Sequence, residues 1–107
     1  MTRDTFRALI EVTRAAEDKL LEEKGADYTR KSEDVLANFK RVAEAANLTP
    51  IQVWYVYAAK HWDALSAFVM FGEVKSEAIE GRFHDLRNYL MLGLGILAES
   101  KHEDKQQ

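Results

Sequence analysis

The chain has 107 residues, 47% of them hydrophobic and 31% charged, which is typical of one globular domain. The net charge is only −3, which argues against a broad basic surface for duplex nucleic acid. Cysteine is absent, so disulfides and thiolate metal sites are excluded. The N-terminal residues are charged and amphipathic, and no apolar run is long enough for a membrane span. We therefore expect a cytoplasmic protein with no membrane partner.

The first two helices are predicted from apolar residues at helical spacing. Residues 3–24 should form the first helix, and Gly25 should end it because glycine suits a left-handed cap. A polar loop over residues 25–32 ends at Ser32, which is a suitable N-cap. A second helix is predicted from about residue 33 to residue 46. Its apolar face consists of Val35, Leu36, Phe39, Val42 and Ala43.

The third helix has the clearest start signal in the chain. Thr49, Pro50 and Gln52 predict an N-cap, a proline in the first turn and a capping box. This helix should run to about residue 70 and stop at Gly72, and a fourth should follow from residue 77 to about 99, capped by Ser76. We therefore predict an all-α, compact four-helix bundle over residues 1–100, with a polar, disordered tail over 101–107.

On a helical wheel, the third and fourth helices are apolar on more than one side. The predicted core stripe of the third helix consists of Ile51, Tyr55, Ala58, Trp62, Leu65 and Val69. Its opposite side is also apolar and carries Val53, Val56, Ala67 and Phe71. The predicted core stripe of the fourth helix consists of Ile79, Phe83, Leu86, Leu90 and Leu97. Such helices are usually buried on two sides, so we expect a central helix pair or a homodimer or higher homo-oligomer.

Four polar residues lie on stripes that become apolar further along these helices: Lys60, Asp63, Asp85 and Asn88. Asp85, for example, lies in line with Leu92 and Ile96. A partly buried charge needs a partner, because desolvating a lone ion costs several kcal/mol. These stripes are therefore expected to face a shared cavity or interface.

The carboxylates of the last two helices are candidate magnesium ligands. Mg²⁺ prefers hard oxygen ligands, which Asp63, Glu80 and Asp85 would supply. The alternatives are structural: Glu80 suits the positive end of a helix dipole, and Lys60 could pair with Asp63 on one turn. His61 lies nearer the core stripe and is interpreted as a hydrogen-bonded core histidine.

The loop that follows the first helix carries residue types that bind phosphate at a helix N-terminus. It begins with Asp27 and Tyr28 and continues through residue 34. Ordinary loops have the same composition, and the chain has no Walker loop, dinucleotide fingerprint or metal-ligand histidine spacing. Gly93 and Gly95 are expected to let another helix approach closely.

Several short motifs resemble those of small phage and prophage proteins grouped as a nucleotide-modification-associated domain family. They are Glu23-Lys24-Gly25-Ala26-Asp27-Tyr28, then Lys60 with Asp63-Ala64-Leu65, then Glu80 with Asp85-Leu86-Arg87-Asn88-Tyr89. The resemblance spans residues 20–98 and implies a role in phage nucleotide or DNA-base metabolism, in the cytoplasm of the host cell. The chain looks more distantly like the all-α MazG-like nucleotide pyrophosphohydrolases, which hold Mg²⁺ with E-x-x-E and E-x-x-D motifs. Glu77 and Glu80 match the first motif, but the second has no counterpart at matching helical positions.

The first hypothesis is a nucleotide-handling protein, either a Mg²⁺-dependent phosphohydrolase or a modification accessory. Asp63, Glu80 and Asp85 would hold the metal and activate water, while Lys60 and Arg82 would offset phosphate charge. Trp54, Tyr57 and Tyr89 could stack a base. Together with these, the predicted ligand-binding residues include Asn88, Asp27 and Tyr28.

Two other hypotheses remain open. The chain could be a non-catalytic phage accessory protein that sequesters a nucleotide or binds a host protein through an oligomeric helical surface. Alternatively, it could be a helical dimer whose polar groups only fix the register of packing.

Overall fold

A computed structural model describes the backbone of residues 1–28, 33–72 and 78–106 and the side chains of 1–23, 33–72 and 78–102, and these residues form four helices. The helices are α1 (Arg3–Tyr28), α2 (Ala37–Ala46), α3 (Pro50–Phe71) and α4 (Ile79–Gln106). The described residues contain no strand, which confirms the all-α prediction. The chain divides into unit 1 (Met1–Val35) and unit 2 (Leu36–Gln107).

Unit 1 contains the long helix α1. Its first turn is capped by Thr2, whose hydroxyl accepts a hydrogen bond from the Thr5 backbone N–H at 3.1 Å. The helix continues through Gly25 to Tyr28, so the prediction that Gly25 ends it is wrong. A glycine inside a helix costs only about 1 kcal/mol relative to alanine, which neighbouring helix formers can offset.

The boundaries of α3 in unit 2 follow the predicted local signals. The Thr49 hydroxyl accepts from the Gln52 backbone N–H, while the Thr49 N–H donates to the Gln52 side chain at 2.9 Å. This confirms the capping box. At the other end, Gly72 adopts a left-handed φ of 69° and its N–H donates to Phe68 O, which confirms the predicted cap.

The other described ends in unit 2 depart from the predicted ones. Helix α2 begins at Ala37 rather than near residue 33, and Ser32 and Ser76 lie outside the described residues. Helix α4 begins at Ile79 and continues to Gln106, so helix extends well into the segment predicted to be a disordered tail.

Helices α3 and α4 form an antiparallel hairpin. Trp54, early in α3, packs against Gly93 late in α4, whereas His61, further along α3, lies beside Asp85, which precedes Gly93. Helix α2 packs against this hairpin near the N-terminal end of α3, away from Phe71.

The buried core of unit 2 joins all three helices and consists of Leu36, Phe39, Ala43, Val53 and Ile96. The predicted core stripe of α4 is mostly wrong, because Phe83, Leu90 and Leu97 are exposed. Ile79 and Leu86 are half-buried, and Leu92 and Ile96 pack inward. Since α4 is apolar on two sides, its own pattern does not determine which side meets α2 and α3.

The predicted core stripe of α3 is only partly correct. Ala58 and Leu65 are buried, but Tyr55, Trp62 and Val69 are 68%, 61% and 76% exposed. Val53, which the wheel assigned to the opposite side, is among the most buried residues. The inward face of α3 is therefore rotated from the predicted stripe, and bulky apolar side chains are left on its outer face.

Candidate functional site

An aromatic layer lies at the centre of unit 2, where α2 meets the hairpin. The Phe39 ring lies 5.9 Å from the Tyr57 ring and 6.2 Å from the Tyr89 ring, with an edge-on approach to Tyr89. The imidazole ring of His61 packs against the Tyr89 ring, with the two ring centroids 4.8 Å apart. Aromatic pairs at these distances favour a fixed geometry. The layer therefore gives His61 a rigid support.

His61, which packs on this layer, also makes a polar contact with Asp85 of α4. The Nδ1 atom of His61 lies 3.8 Å from Oδ2 of Asp85, within ion-pair range when the imidazole is protonated but too long for a hydrogen bond. The His61 side chain is 17% exposed and the Asp85 side chain 41%. Asp85 shares its face of α4 with the inward-packed Leu92 and Ile96.

Three other predicted polar residues lie within one helical turn of His61 or Asp85 along the chain and differ in exposure. Lys60 precedes His61 and is exposed on α3. Arg82 and Asn88 lie half-buried on α4, one turn before and one turn after Asp85. Of the predicted site residues, Arg82, Asp85 and Asn88 thus lie on neighbouring turns of α4. The structure adds His61 to this site, which the sequence analysis interpreted as a core histidine.

The three predicted magnesium ligands differ in exposure. Asp63 and Glu80 are exposed, whereas Asp85 is half-buried beside His61. Among the residues that the structure describes, no group of three histidine or carboxylate side chains is placed to hold a metal ion. The magnesium site therefore stays a prediction from the sequence. The predicted phosphate-binding loop cannot begin at Asp27, because Asp27 and Tyr28 belong to α1. Their role in binding stays a prediction, since their side chains lie outside the described residues.

Trp54, a predicted base-stacking residue, packs between α3 and α4. Its indole N–H donates a hydrogen bond to the backbone carbonyl of Tyr89. Its ring lies so close to Gly93 that a Cβ there would be 2.8 Å from two ring atoms. The expectation of close approach at Gly93 is confirmed. At Gly95 a Cβ would meet Leu36 at an ordinary 3.9 Å.

A shallow cavity of about 150 Å³ lies where α2 meets the ends of the hairpin. Leu36, Pro50, Ile51 and Ile96 form its apolar wall, and Lys40 and Glu99 lie at its edge, joined by a 2.9 Å ion pair. Small-molecule sites usually enclose about 300–1,000 Å³. This cavity is therefore too small to bury a nucleotide.

Comparison with protein-family models, curated proteins and solved structures finds no match for the chain. Within the described residues, no helix is both long enough and apolar enough to cross a membrane.

Proposed function

We propose that this chain acts by binding, as a helical protein that assembles with further copies of itself through the exposed apolar surface of unit 2. The observation that carries the proposal is the outer face of α3, where Tyr55, Trp62 and Val69 are all mostly exposed. Tryptophan, tyrosine and methionine are enriched in protein interfaces relative to the rest of the surface. A contiguous apolar patch of this kind marks an interaction site.

A second helix of the same unit supports this proposal. Helix α4 exposes Phe83, Leu90, Met91, Leu94 and Leu97. Removing apolar surface from water contributes about 25 cal/mol per Å², so covering even part of this surface favours association by several kcal/mol. The core of unit 2 is already formed by other residues, so these side chains can be buried by a partner without unfolding the unit.

Light scattering coupled to size-exclusion chromatography tests this proposal. We expect a mass of at least twice the 12.3 kDa of one chain, falling towards 12.3 kDa on dilution. A mass of one chain at every concentration up to about 100 µM would overturn the proposal, because a functional interface of standard size binds more tightly than this.

We also propose nucleotide handling as a second function, supported by the His61–Asp85 contact and the cationic groups near it. Lys60 and Arg82 are suited to offset phosphate charge, and Asp85 remains accessible enough to contact a ligand or a metal-bound water. The ligand class is a nucleotide or another phosphate-bearing small molecule, with Mg²⁺ as the predicted cofactor.

Thermal-shift measurements with a panel of nucleotides, with and without Mg²⁺, test this second function. We expect a rise in the melting temperature for at least one nucleotide, and its loss in Asp85→Ala. Glu44→Ala, an exposed carboxylate on α2, is the matched control and should keep the shift. No shift with any nucleotide at millimolar concentration would contradict the proposal.

A further inference from the structure

The outer face of α3 has the spacing of a helix–helix seam. Its residues are separated by alternating intervals of three and four, which keeps them within an arc of about 100°. We call this surface the α3 seam, and it consists of Gln52, Tyr55, Ala59, Trp62, Ser66 and Val69. None of its residues is charged, so it offers nothing to recruit a charged peptide.

Bulky and small side chains alternate along the α3 seam. Tyr55, Trp62 and Val69 project from the surface, while Ala59 and Ser66 between them are small and half-buried. One face thus carries both the knobs and the holes of a helix packing. A surface that complements itself in this way fits a two-fold pairing, in which a bulky residue of each copy meets a small residue of the other.

We infer that the α3 seam binds the α3 seam of a second copy of this chain, with the two helices antiparallel and Trp62 of each copy over Ala59 of the other. This inference rests on the proposed self-assembly and specifies its surface. In the same arrangement, Tyr55 meets Ser66 of the second copy and Val69 meets Gln52. Every bulky residue of the seam then lies opposite a smaller or flexible one, as close packing requires.

The register follows from the length of α3. Moving the second copy by one heptad would place Trp62 over Ser66, but it would also place Tyr55 against position 73. That position lies beyond Phe71, where α3 ends. When the two-fold axis passes between Lys60 and His61, by contrast, all six seam positions find a partner within α3 of the second copy.

The surface available matches what a stable dimer needs. Val56 and Met70 flank the seam and are also exposed. If a fully exposed aromatic side chain offers about 150–250 Å², the seam and these two neighbours supply roughly 600–700 Å² per copy. Specific interfaces of standard size bury about 800 Å² per partner. The surrounding polar rim of the same helix can supply the difference.

Substitutions in the seam test the inference in the full-length chain by sedimentation or light scattering. Trp62→Glu should raise the dimer dissociation constant by at least about tenfold, as expected for a central interface tryptophan. Val12→Glu on α1 is the matched control, because Val12 is 69% exposed and lies outside unit 2. It should assemble like the wild type.

A knob-and-hole exchange tests the register itself. Ala59→Trp alone should prevent pairing, because it meets Trp62 of the second copy. The double variant with Ala59→Trp and Trp62→Ala should assemble again, since each bulky residue then lies opposite a small one. Far-UV circular dichroism checks that every variant remains helical. If Trp62→Glu loses helix, Val69→Glu at the more exposed end of the seam replaces it.

Each outcome separates this inference from the proposed function. A wild-type chain that is monomeric contradicts both. Assembly that persists in Trp62→Glu or in Ala59→Trp overturns the α3 seam as the interface, while the proposed self-assembly stands. Loss of assembly in Val12→Glu alone also overturns the α3 seam and moves the interface to α1.

Discussion

Replacing Gly93 with alanine puts one methyl group into a close contact between α3 and α4. The new Cβ would lie 2.8 Å from Cε2 and Cζ2 of Trp54 and 3.1 Å from its Nε1. These atoms belong to the rigid body of the indole, so no flexible end can move aside. The ring is also held by its hydrogen bond to the Tyr89 carbonyl. The alanine therefore displaces either the indole or the α4 backbone.

The net effect on stability is the difference between two opposing terms. Alanine is favoured over glycine inside a helix by about 1 kcal/mol. Against this, adding a methyl group to a packed site costs about 1–3 kcal/mol, and losing the indole hydrogen bond costs about 1 kcal/mol more. We expect Gly93→Ala to lower the free energy of unfolding by about 1–3 kcal/mol.

Gly81→Ala is the matched control, because it is the same substitution in the same helix with no atom within 4 Å of the new Cβ. It should be neutral or stabilising by up to about 1 kcal/mol. Urea denaturation followed by far-UV circular dichroism measures both variants at equal protein concentration. In a Trp54→Phe background, which lacks the contacting ring atoms, Gly93→Ala should cost at least about 1 kcal/mol less. Equal stability of the Gly93→Ala and Gly81→Ala variants would refute the close-contact argument.

The remaining stability predictions use the same denaturation assay. Thr49→Ala removes the capping-box hydroxyl and should cost about 1 kcal/mol; no measurable loss would contradict the cap as a stabilising feature. Phe39→Ala should cost about 3–5 kcal/mol because the ring is buried in the core, whereas the exposed Val35→Ala should stay within about 0.5 kcal/mol, and similar effects would contradict the described core. Lys40→Ala breaks a half-exposed ion pair with Glu99, so its cost should remain below about 1 kcal/mol and shrink with added salt.

Local signals in the sequence predicted the local structure well. The capping box at Thr49 and the left-handed cap at Gly72 depend on a few adjacent residues, and both were confirmed. Gly25 was not a stop, because glycine permits a left-handed cap without requiring one. The close approach at Gly93 was also predicted, although its partner, Trp54, could not be named from spacing alone.

The inward faces of α3 and α4 could not be predicted, because each helix is apolar on two sides. A helical wheel ranks the faces by hydrophobicity, whereas burial depends on which face meets α2. Phe83 and Leu90 thus fell outside the core, and Ile96 fell inside it. The pairing of His61 with Asp85 was missed for a related reason, since it depends on the register between two helices rather than on one pattern. That each of these helices carries a second apolar side, by contrast, does not depend on which side meets α2.

The pairing of two α3 helices is tested most directly by distances between spin labels on the two copies. The chain has no cysteine, so Asp63→Cys or Met70→Cys gives one label site per copy, and both positions are exposed on the same flank of the α3 seam. At a rise of about 1.5 Å per residue, antiparallel pairing separates the two residue-63 labels by about 8 Å along the helix and the two residue-70 labels by about 28 Å. Because the helix axes are also about 8–10 Å apart, we expect the distance between copies to be longer by roughly 15–18 Å at residue 70 than at residue 63. Equal distances at the two positions, or no distance between copies at either, would contradict the account.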